Sequence, residues 1–172
     1  MIRKHKRFVR PKKAFEKSRI EEENKLVEQY GLKNKREIWK TIAKINYFRR
    51  RAKELAKLSN EEQEILFKKL QAKGLKVNSI ADILALTVED LLKRRLQTVV
   101  AQKKVANSVR HARQLIVHKK ITLNGSVINI PSYIVSVSEE HSISLKPGKP
   151  KKAKIEEKAE EKVQEQPKEA SQ

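Results

Sequence analysis

Residues 91–145 carry the feature that most constrains the fold, because the spacing of apolar residues changes there from a helical to a strand period. The first part of this stretch has helical spacing and predicts a single apolar stripe. The stripe consists of Leu91, Leu92, Leu96, Val99 and Val100. A chain with this pattern is expected to place helices first and a small sheet after them.

A second helix is predicted to begin after Ser108, whose hydroxyl can accept a hydrogen bond from a backbone N–H of the first turn. Its apolar face is expected to hold Val109, Ala112, Leu115 and Ile116. The opposite face is expected to hold Arg110, Arg113 and Gln114. This helix would therefore pack on one side and present basic residues on the other.

A hairpin follows, because Asn124-Gly125 stands between two β-rich runs, Ile121–Leu123 and residues 127–130. A type I′ turn needs positive φ at both central residues, which suits Asn and Gly. Pro131 is expected to end a strand or lie on an edge. Residues 133–137 and 142–145 are predicted as further short strands.

The charge of the chain favours a polyanionic partner. Its formal net charge is +20 and its pI is about 10.2. Residues 91–145 hold nine basic and two acidic residues, and no acid occurs between residues 93 and 137. Aromatic residues make up only 5%, so structured RNA is favoured over stacked single strands. No apolar run has the length of a membrane span, and no signal segment is recognisable.

The N-terminal half predicts helices. One is expected over residues 15–30 and ends at Gly31, and a capping box is predicted at Asn34 and Glu37. The long helix after it has an apolar stripe of Ile38, Ile42, Ile45, Phe48, Ala52 and Leu55. Trp39 is interpreted as a packing residue rather than a base stacker.

Three further capping boxes are predicted at residues 59–62, 79–82 and 87–90, with Gly74 ending a helix between them. Residues 59–90 hold four basic and six acidic residues, whereas residues 1–58 hold twenty basic and seven acidic ones. Two RNA-facing surfaces separated by a nearly neutral packing unit would explain this distribution.

Four sequence blocks from residue 91 onward resemble the S-four RNA-binding domain: RRLQT, ARQLIVH, LNG and PSYIVSV, in that order. One departure is Lys119-Lys120 after His118, where many relatives carry a glycine. Upstream, YGLKNKREIWK resembles the archaeal and eukaryotic form of the S-four family of small-subunit ribosomal proteins. The resemblance covers roughly residues 10–145.

The resemblance implies an α+β fold with a mostly helical N-terminal domain and an αL-type S-four RNA-binding module of two helices and a small antiparallel sheet. The expected divisions are a basic arm at 1–13, a helical domain at 14–90, the C-terminal module at 91–145 and a disordered charged tail at 146–172. Deleting residues 151–172 is expected to leave stability nearly intact, because the six basic and six acidic residues there cancel.

The implied function is that of a structural constituent of the small ribosomal subunit in the cytoplasm. Such a protein would bind the five-prime domain of small-subunit rRNA early, nucleate assembly and contribute to translational accuracy. Neighbouring small-subunit ribosomal proteins are the other expected partners. No membrane, small-molecule substrate or obligate homo-oligomer is expected.

The expected RNA contacts are basic or polar and lie in two blocks. The N-terminal block consists of Arg3, Lys4, Lys6, Arg7, Arg10, Lys33, Lys35, Arg36, Lys40, Arg49, Arg50 and Arg51. The C-terminal block consists of Arg94, Arg95, Lys103, Lys104, Ser108, Arg110, His111, Arg113, Gln114, His118, Lys119 and Lys120. Both blocks would act mainly on phosphates.

No catalytic set is recognisable, so the chain is expected not to be an enzyme. It has no cysteine and no phosphate-binding glycine loop, and no metal or cofactor is expected. Two alternative functions are compatible with the same residues. A ribosome-associated factor of heat-shock type would keep the module without needing YGLKNKREIWK, and a basic membrane-surface or DNA-compacting protein would need only the charge.

Overall fold

The structure is a computed structural model that describes residues 8–146, so the beginning of the predicted arm and the tail from residue 147 lie outside the described residues. Within this range the helices are α1 Lys17–Gln29, α2 Lys35–Leu55, α3 Asn60–Gln71, α4 Ile80–Ala85, α5 Val88–Lys93, α6 Leu96–Gln102, α7 Val109–Val117 and α8 Val137–Glu140. The strands are β1 Ile121–Leu123, β2 Ser126–Val127 and β3 Ser144–Leu145. The α+β fold class is confirmed.

Helix α2 organises the N-terminal half, because α1, α3, α4 and α5 all pack against it. Its predicted stripe is buried except at Ile42, which is 38% exposed, and Thr41 takes a buried position beside it. The main cluster of this half joins α2 to the residues after it. Its buried members are Ile45, Phe48, Ala52, Leu70, Leu75, Val77, Ile83, Leu86 and Leu91.

Two of the predicted capping boxes do not form. The side chains of Asn34 and Ser59 make no capping hydrogen bond, and the Glu37 carboxylate binds arginines instead. Ser79 does cap α4, since its Oγ accepts from the backbone N of Asp82 at 3.3 Å. These differences show that the motif specifies the start of a helix more reliably than it specifies the side-chain bonds.

The predicted helix through residues 91–100 is broken at Arg94 and Arg95, where the chain turns out of α5 and enters α6. Segment 133–135 crosses the break and binds its backbone: Leu96 N donates to Tyr133 O at 2.8 Å, and Val135 N donates to Arg94 O at 3.0 Å. The apolar stripe is buried as expected but divided by this break. Leu91 and Leu92 pack with the N-terminal helices. Leu96, Val99 and Val100 pack in the core of the C-terminal module.

The sheet is antiparallel with the order β2-β1-β3. The hairpin turn is confirmed, because Asn124 has φ 50° and Gly125 has φ 77°. β1 pairs with β3 through Ile121 and Leu145.

The predicted strand over residues 133–137 is wrong. This segment makes one bridge, between Arg95 and Ile134, and then α8 begins at Val137. Ser136 and Glu139 form the capping box of that helix, so the sequence Ser-Val-Ser-Glu carried a helix signal. The strand prediction followed the apolar alternation of the segment and overlooked that signal.

Gly74 follows α3 with φ 73° and lies directly against Arg94. An added Cβ would stand 2.6 Å from Arg94 Cζ. The guanidinium cannot yield freely, because it donates to Lys73 O, Val135 O and the Glu140 carboxylate at 3.1, 3.1 and 2.9 Å. Gly125 has a similar φ of 77° but nothing within 4 Å of its would-be Cβ.

These two glycines give a matched prediction. Gly125→Ala is expected to lose about 1 kcal/mol from the backbone alone. Gly74→Ala adds displacement of Arg94 and is expected to lose roughly 3 kcal/mol. Urea unfolding followed by circular dichroism measures both, and equal losses would contradict the role given to the Arg94 contact.

Candidate nucleic-acid interface

One carboxylate joins the N-terminal helices to the C-terminal module. Glu37, in the first turn of α2, accepts from Arg113 Nη2 on α7 at 2.8 Å and from Arg113 Nη1 at 3.2 Å. It also accepts from Arg95 Nη2 at the start of α6. Arg113 Nη1 donates to Gln97 Oε1 at 3.2 Å, and Gln97 Nε2 donates to Tyr30 O. We call Glu37, Arg95, Gln97 and Arg113 the Glu37 cluster.

The Glu37 cluster is largely shielded from water. The side chains of Arg95, Glu37 and Arg113 are 6%, 17% and 23% exposed. Burial by itself raises the pKa of Glu37, but the hydrogen bonds and charges of Arg113 and Arg95 outweigh it and hold the pKa below its usual range. The carboxylate is therefore ionised at neutral pH.

The expectation that Arg113 points away from the protein is wrong. Its side chain lies between α7 and α2, because Glu37 supplies a bidentate acceptor there. Arg94 and Arg95 likewise bind protein acceptors rather than standing on an open surface. RNA contact by these three arginines stays a prediction.

Arg110, in contrast, is exposed and begins a polar stripe along α7. Its neighbours at four-residue spacing, Gln114 and His118, are exposed as well, and Lys119 and Lys120 continue the stripe beyond the helix. The turn at Gly31 supports this end of α7, since an added Cβ there would stand 3.3 Å from Arg110 Cγ. We call Arg110, Gln114, His118, Lys119 and Lys120 the α7 stripe.

Two exposed lysines adopt the left-handed backbone conformation that favours glycine. Lys104 follows α6 and Lys119 follows α7, each with φ 58°. Lys119 N donates to Ile116 O and Lys120 N donates to Leu115 O, both at 2.9 Å. The helix exit typical of glycine is thus kept with lysine at Lys119. A strained backbone that presents a cation is a feature more often found at functional sites than elsewhere.

The other predicted contact residues divide into two groups. Exposed members without an ion pair to a described residue are Arg10, Lys33, Arg36, Lys40 and Lys104, while the exposed Arg50 and Arg51 pair with Glu54. Members held by protein partners are Lys35, Arg49, Lys103, Ser108 and His111. Ser108 caps α7 as expected, since its Oγ accepts from His111 N at 3.1 Å. Arg3, Lys4, Lys6 and Arg7 lie outside the described residues.

Trp39 is a packing residue at the contact of α1 and α2, as interpreted from the sequence. Its indole N–H donates to Glu23 Oε1 at 2.9 Å, and its ring centroid lies 6.0 Å from that of Phe8. Glu23 also binds Arg19 at 2.8 Å. Glu23 thus joins α1 to α2 as Glu37 joins α2 to the C-terminal module, and neither role could be predicted from local sequence signals.

Between residues 8 and 146, no three histidine or acidic side chains lie together as metal ligands would. None of the helices there has the length and apolar character needed to cross a bilayer. What the structure does offer is a row of exposed polar and basic side chains on α7, suited to phosphate oxygens.

Comparison with known proteins identifies the class first. The S4 domain matches residues 94–141, which run from the break before α6 to the end of α8. Three archaeal relatives then extend the match over most of the chain.

The chain is 44% identical over 151 residues to the small ribosomal subunit protein uS4 of Ignicoccus hospitalis, covering 84% of this chain and 91% of the relative. It is 41% identical over 157 residues to that of Methanothermobacter thermautotrophicus, covering 88% and 92%. It is 41% identical over 155 residues to that of Thermoplasma acidophilum, covering 85% and 78%. The chain belongs to the uS4 family of small ribosomal subunit proteins.

The Glu37 cluster predicts a pH-dependent stability. Because its folded pKa is lowered, Glu37 stabilises the fold above the pH at which a free glutamate titrates, about 4.3, and this is lost as pH falls through the folded pKa. Glu37→Gln is expected to lose about 2 kcal/mol at pH 7, allowing for its partial exposure. The difference from the natural chain should shrink below about pH 4.

Urea titrations at a series of pH values measure this difference. The control is Glu64→Gln, which removes a carboxylate 3.3 Å from Lys68 on the exposed face of α3 and should change little at any pH. A Glu37→Gln loss that stays constant down to pH 3 would contradict the ionic origin of the effect.

Proposed function

We propose that this chain is a structural constituent of the small ribosomal subunit that binds small-subunit rRNA through the α7 stripe and neighbouring exposed lysines. The observation that carries the proposal is the unpaired charge of Lys104, Arg110, Lys119 and Lys120. None of the four makes an ion pair with a described residue. Seven other cations between residues 8 and 110 do, each with an acid in or next to its own helix or in α1. Because the chain belongs to a family of small ribosomal subunit proteins, rRNA is the proposed partner of this charge.

The physical driving force is counterion release. Each cation that neutralises a phosphate releases condensed counterions from the RNA, so the affinity falls steeply with added salt. Uncompensated positive charge also repels itself in the free protein, and bound RNA relieves that repulsion. The exposed side chains of α7 and of the turn that follows it stand at spacings set by the helix, which suits the regular phosphates of an RNA helix.

The finer proposal is that binding occurs in the five-prime domain of the rRNA, where several RNA helices converge. Cations placed between converging helices lower the repulsion of their phosphates, so the protein would stabilise the junction early in assembly. It would thereby contribute to translational accuracy. Neighbouring small-subunit proteins would complete its surroundings in the cytoplasmic ribosome, and its role would be structural rather than enzymatic.

Arg110 and Arg113 differ in their effect on folding, although they lie on one helix three residues apart. Arg110→Ala is expected to weaken binding to a folded junction RNA by about tenfold, because a charged phosphate contact is lost, with little change in stability. Arg113→Ala is expected to lower the unfolding temperature, because it leaves Glu37 with one partner. Filter binding and thermal unfolding of both variants measure the two effects. An equal loss of stability in Arg110→Ala would contradict its assignment to the α7 stripe.

Lys119→Gly is expected to raise the stability of the fold and to lower its affinity for RNA. Glycine relieves the left-handed backbone and should stabilise the fold by up to about 1 kcal/mol, while the loss of a cation should reduce the salt slope of RNA binding by about one. Asn124→Gly is the control, since Asn124 has φ 50° but carries no charge, so only stability should change. If Lys119→Gly bound RNA with unchanged affinity, Lys119 would not belong to the RNA-binding surface.

A ribosome-associated factor would bind more loosely than a subunit constituent. Sedimentation of small subunits through a high-salt gradient distinguishes the two, because an integral protein stays with the subunit. Recovery of the chain at the top of the gradient would favour the peripheral factor instead.

A further inference from the structure

A cleft of about 880 Å³ lies between α2 and the segment that follows β2. Its cationic lining comes from Lys40 and Lys44 of α2 together with Arg95 and Arg113 of the Glu37 cluster. Glu37 is the one acidic residue in this lining. Even without Lys44, the three cations Lys40, Arg95 and Arg113 exceed the single carboxylate in charge.

The excess charge of Lys40, Arg95 and Arg113 is not balanced by further ion pairs with described residues. Glu37 is already shared by both arginines, and Lys40 is exposed and makes no ion pair with any residue in the described part of the chain. Arg95 is only 5% exposed, yet its Nε donates to no acceptor. A buried charged donor without an acceptor is unfavourable, so negative charge near this guanidinium would be stabilising although Nε itself is covered by protein.

The remaining wall of the cleft is apolar. Leu91, Pro131 and Ile134 contribute to it, and the Tyr47 ring stands at its edge with 54% of the residue exposed. An RNA duplex hides its base faces by stacking, so it could offer this wall no apolar surface. An unpaired nucleotide offers both a flat base and a phosphate, and the base could pack against an aromatic ring.

We propose that this cleft takes one unpaired nucleotide of the bound RNA, with its phosphate among Lys40, Arg95 and Arg113 and its base against Tyr47 and Ile134. The inference rests on the proposed function and deepens it, because it adds a single-nucleotide site to a surface that otherwise follows RNA helices. Continuity supports RNA as the occupant: Arg113 lies on α7 between Arg110 and Gln114 of the α7 stripe. An acidic peptide would pair with the positive charge, but it would leave the Tyr47 ring without a stacking partner.

The charge of the site is tested with Lys40→Gln in the full chain, bound to a folded junction RNA over a range of salt. Loss of one phosphate contact should weaken binding about tenfold and lower the salt slope by about one. The matched control is Lys68→Gln on α3, which should reproduce the natural chain. Equal slopes for Lys40→Gln and the natural chain would overturn the phosphate site.

Ser132→Trp tests whether RNA enters the cleft. Ser132 is exposed and lines the cleft, so an indole there would occupy the space without changing any charge. Affinity should fall about tenfold while the salt slope stays within experimental error, because no cation is lost. Ser18→Trp, on the exposed face of α1, is the control. Natural affinity in Ser132→Trp would show that nothing enters the cleft.

The occupant is identified by placing a photoreactive benzoylphenylalanine at position 132 in assembled small subunits. A crosslink to an unpaired rRNA nucleotide supports the proposal, whereas a crosslink to protein alone would overturn it in favour of an acidic segment. Failure of the proposed function has a different signature. In that case the natural chain itself would not bind the junction RNA. Failure of this inference and failure of the proposed function are therefore detected by different measurements.

Discussion

The placement of the C-terminal module against α2 depends on the Glu37 carboxylate. Glu37 binds Arg95 at the start of α6 and Arg113 in the middle of α7, so one side chain fixes α2 against both helices of the C-terminal module. Gln97 extends the contact to Tyr30 at the end of α1. Two guanidiniums hold the carboxylate in one geometry, and removing it would leave both of them partly buried without an acidic partner.

The break between α5 and α6 is what makes this joint possible. Arg94 ends α5 with φ −86° and ψ 1°, and Arg95 is extended with φ −70° and ψ 141°, so the chain changes direction between the two side chains. Arg95 binds Glu37 on one side, while Arg94 reaches Lys73 O and Glu140 on the other. Had the helix continued, the two arginines would have shared neighbouring positions on one surface. The module is therefore fixed from two sides by consecutive residues.

Local signals in the sequence predicted local structure well, whereas partners distant in the chain could not be predicted. The Ser108 cap and the Asn124-Gly125 turn depend on residues within a few positions, and both are confirmed. The orientation of Arg113 depends on Glu37, which is 76 residues away, and helical periodicity carries no information about it. The same limit explains Glu37 itself, whose spacing from Asn34 suggested a capping box. The exposure of Arg110 and Gln114 could be inferred from spacing, whereas the same spacing placed Arg113 on the exposed face and was wrong there.

The absence of acids between residues 93 and 137 connects the joint to the candidate RNA surface. Any ion pair made by a cation in this stretch must use an acid from elsewhere in the chain, and the acids used are Glu89, Glu140 and Glu37. The pairs with Glu140 and Glu37 therefore tie the stretch to α8 and α2, whereas Lys93 and Glu89 pair within α5. Of the cations without such an acid, Lys103 donates to the Glu140 backbone carbonyl, and Lys104 and those of the α7 stripe remain exposed. The absence of acids thus makes some basic residues bind acids of other elements and leaves others exposed without an acidic partner among the described residues. Adding an acid within this stretch would weaken both effects, because it would compete with Glu37 for the arginines and neutralise the surface cations.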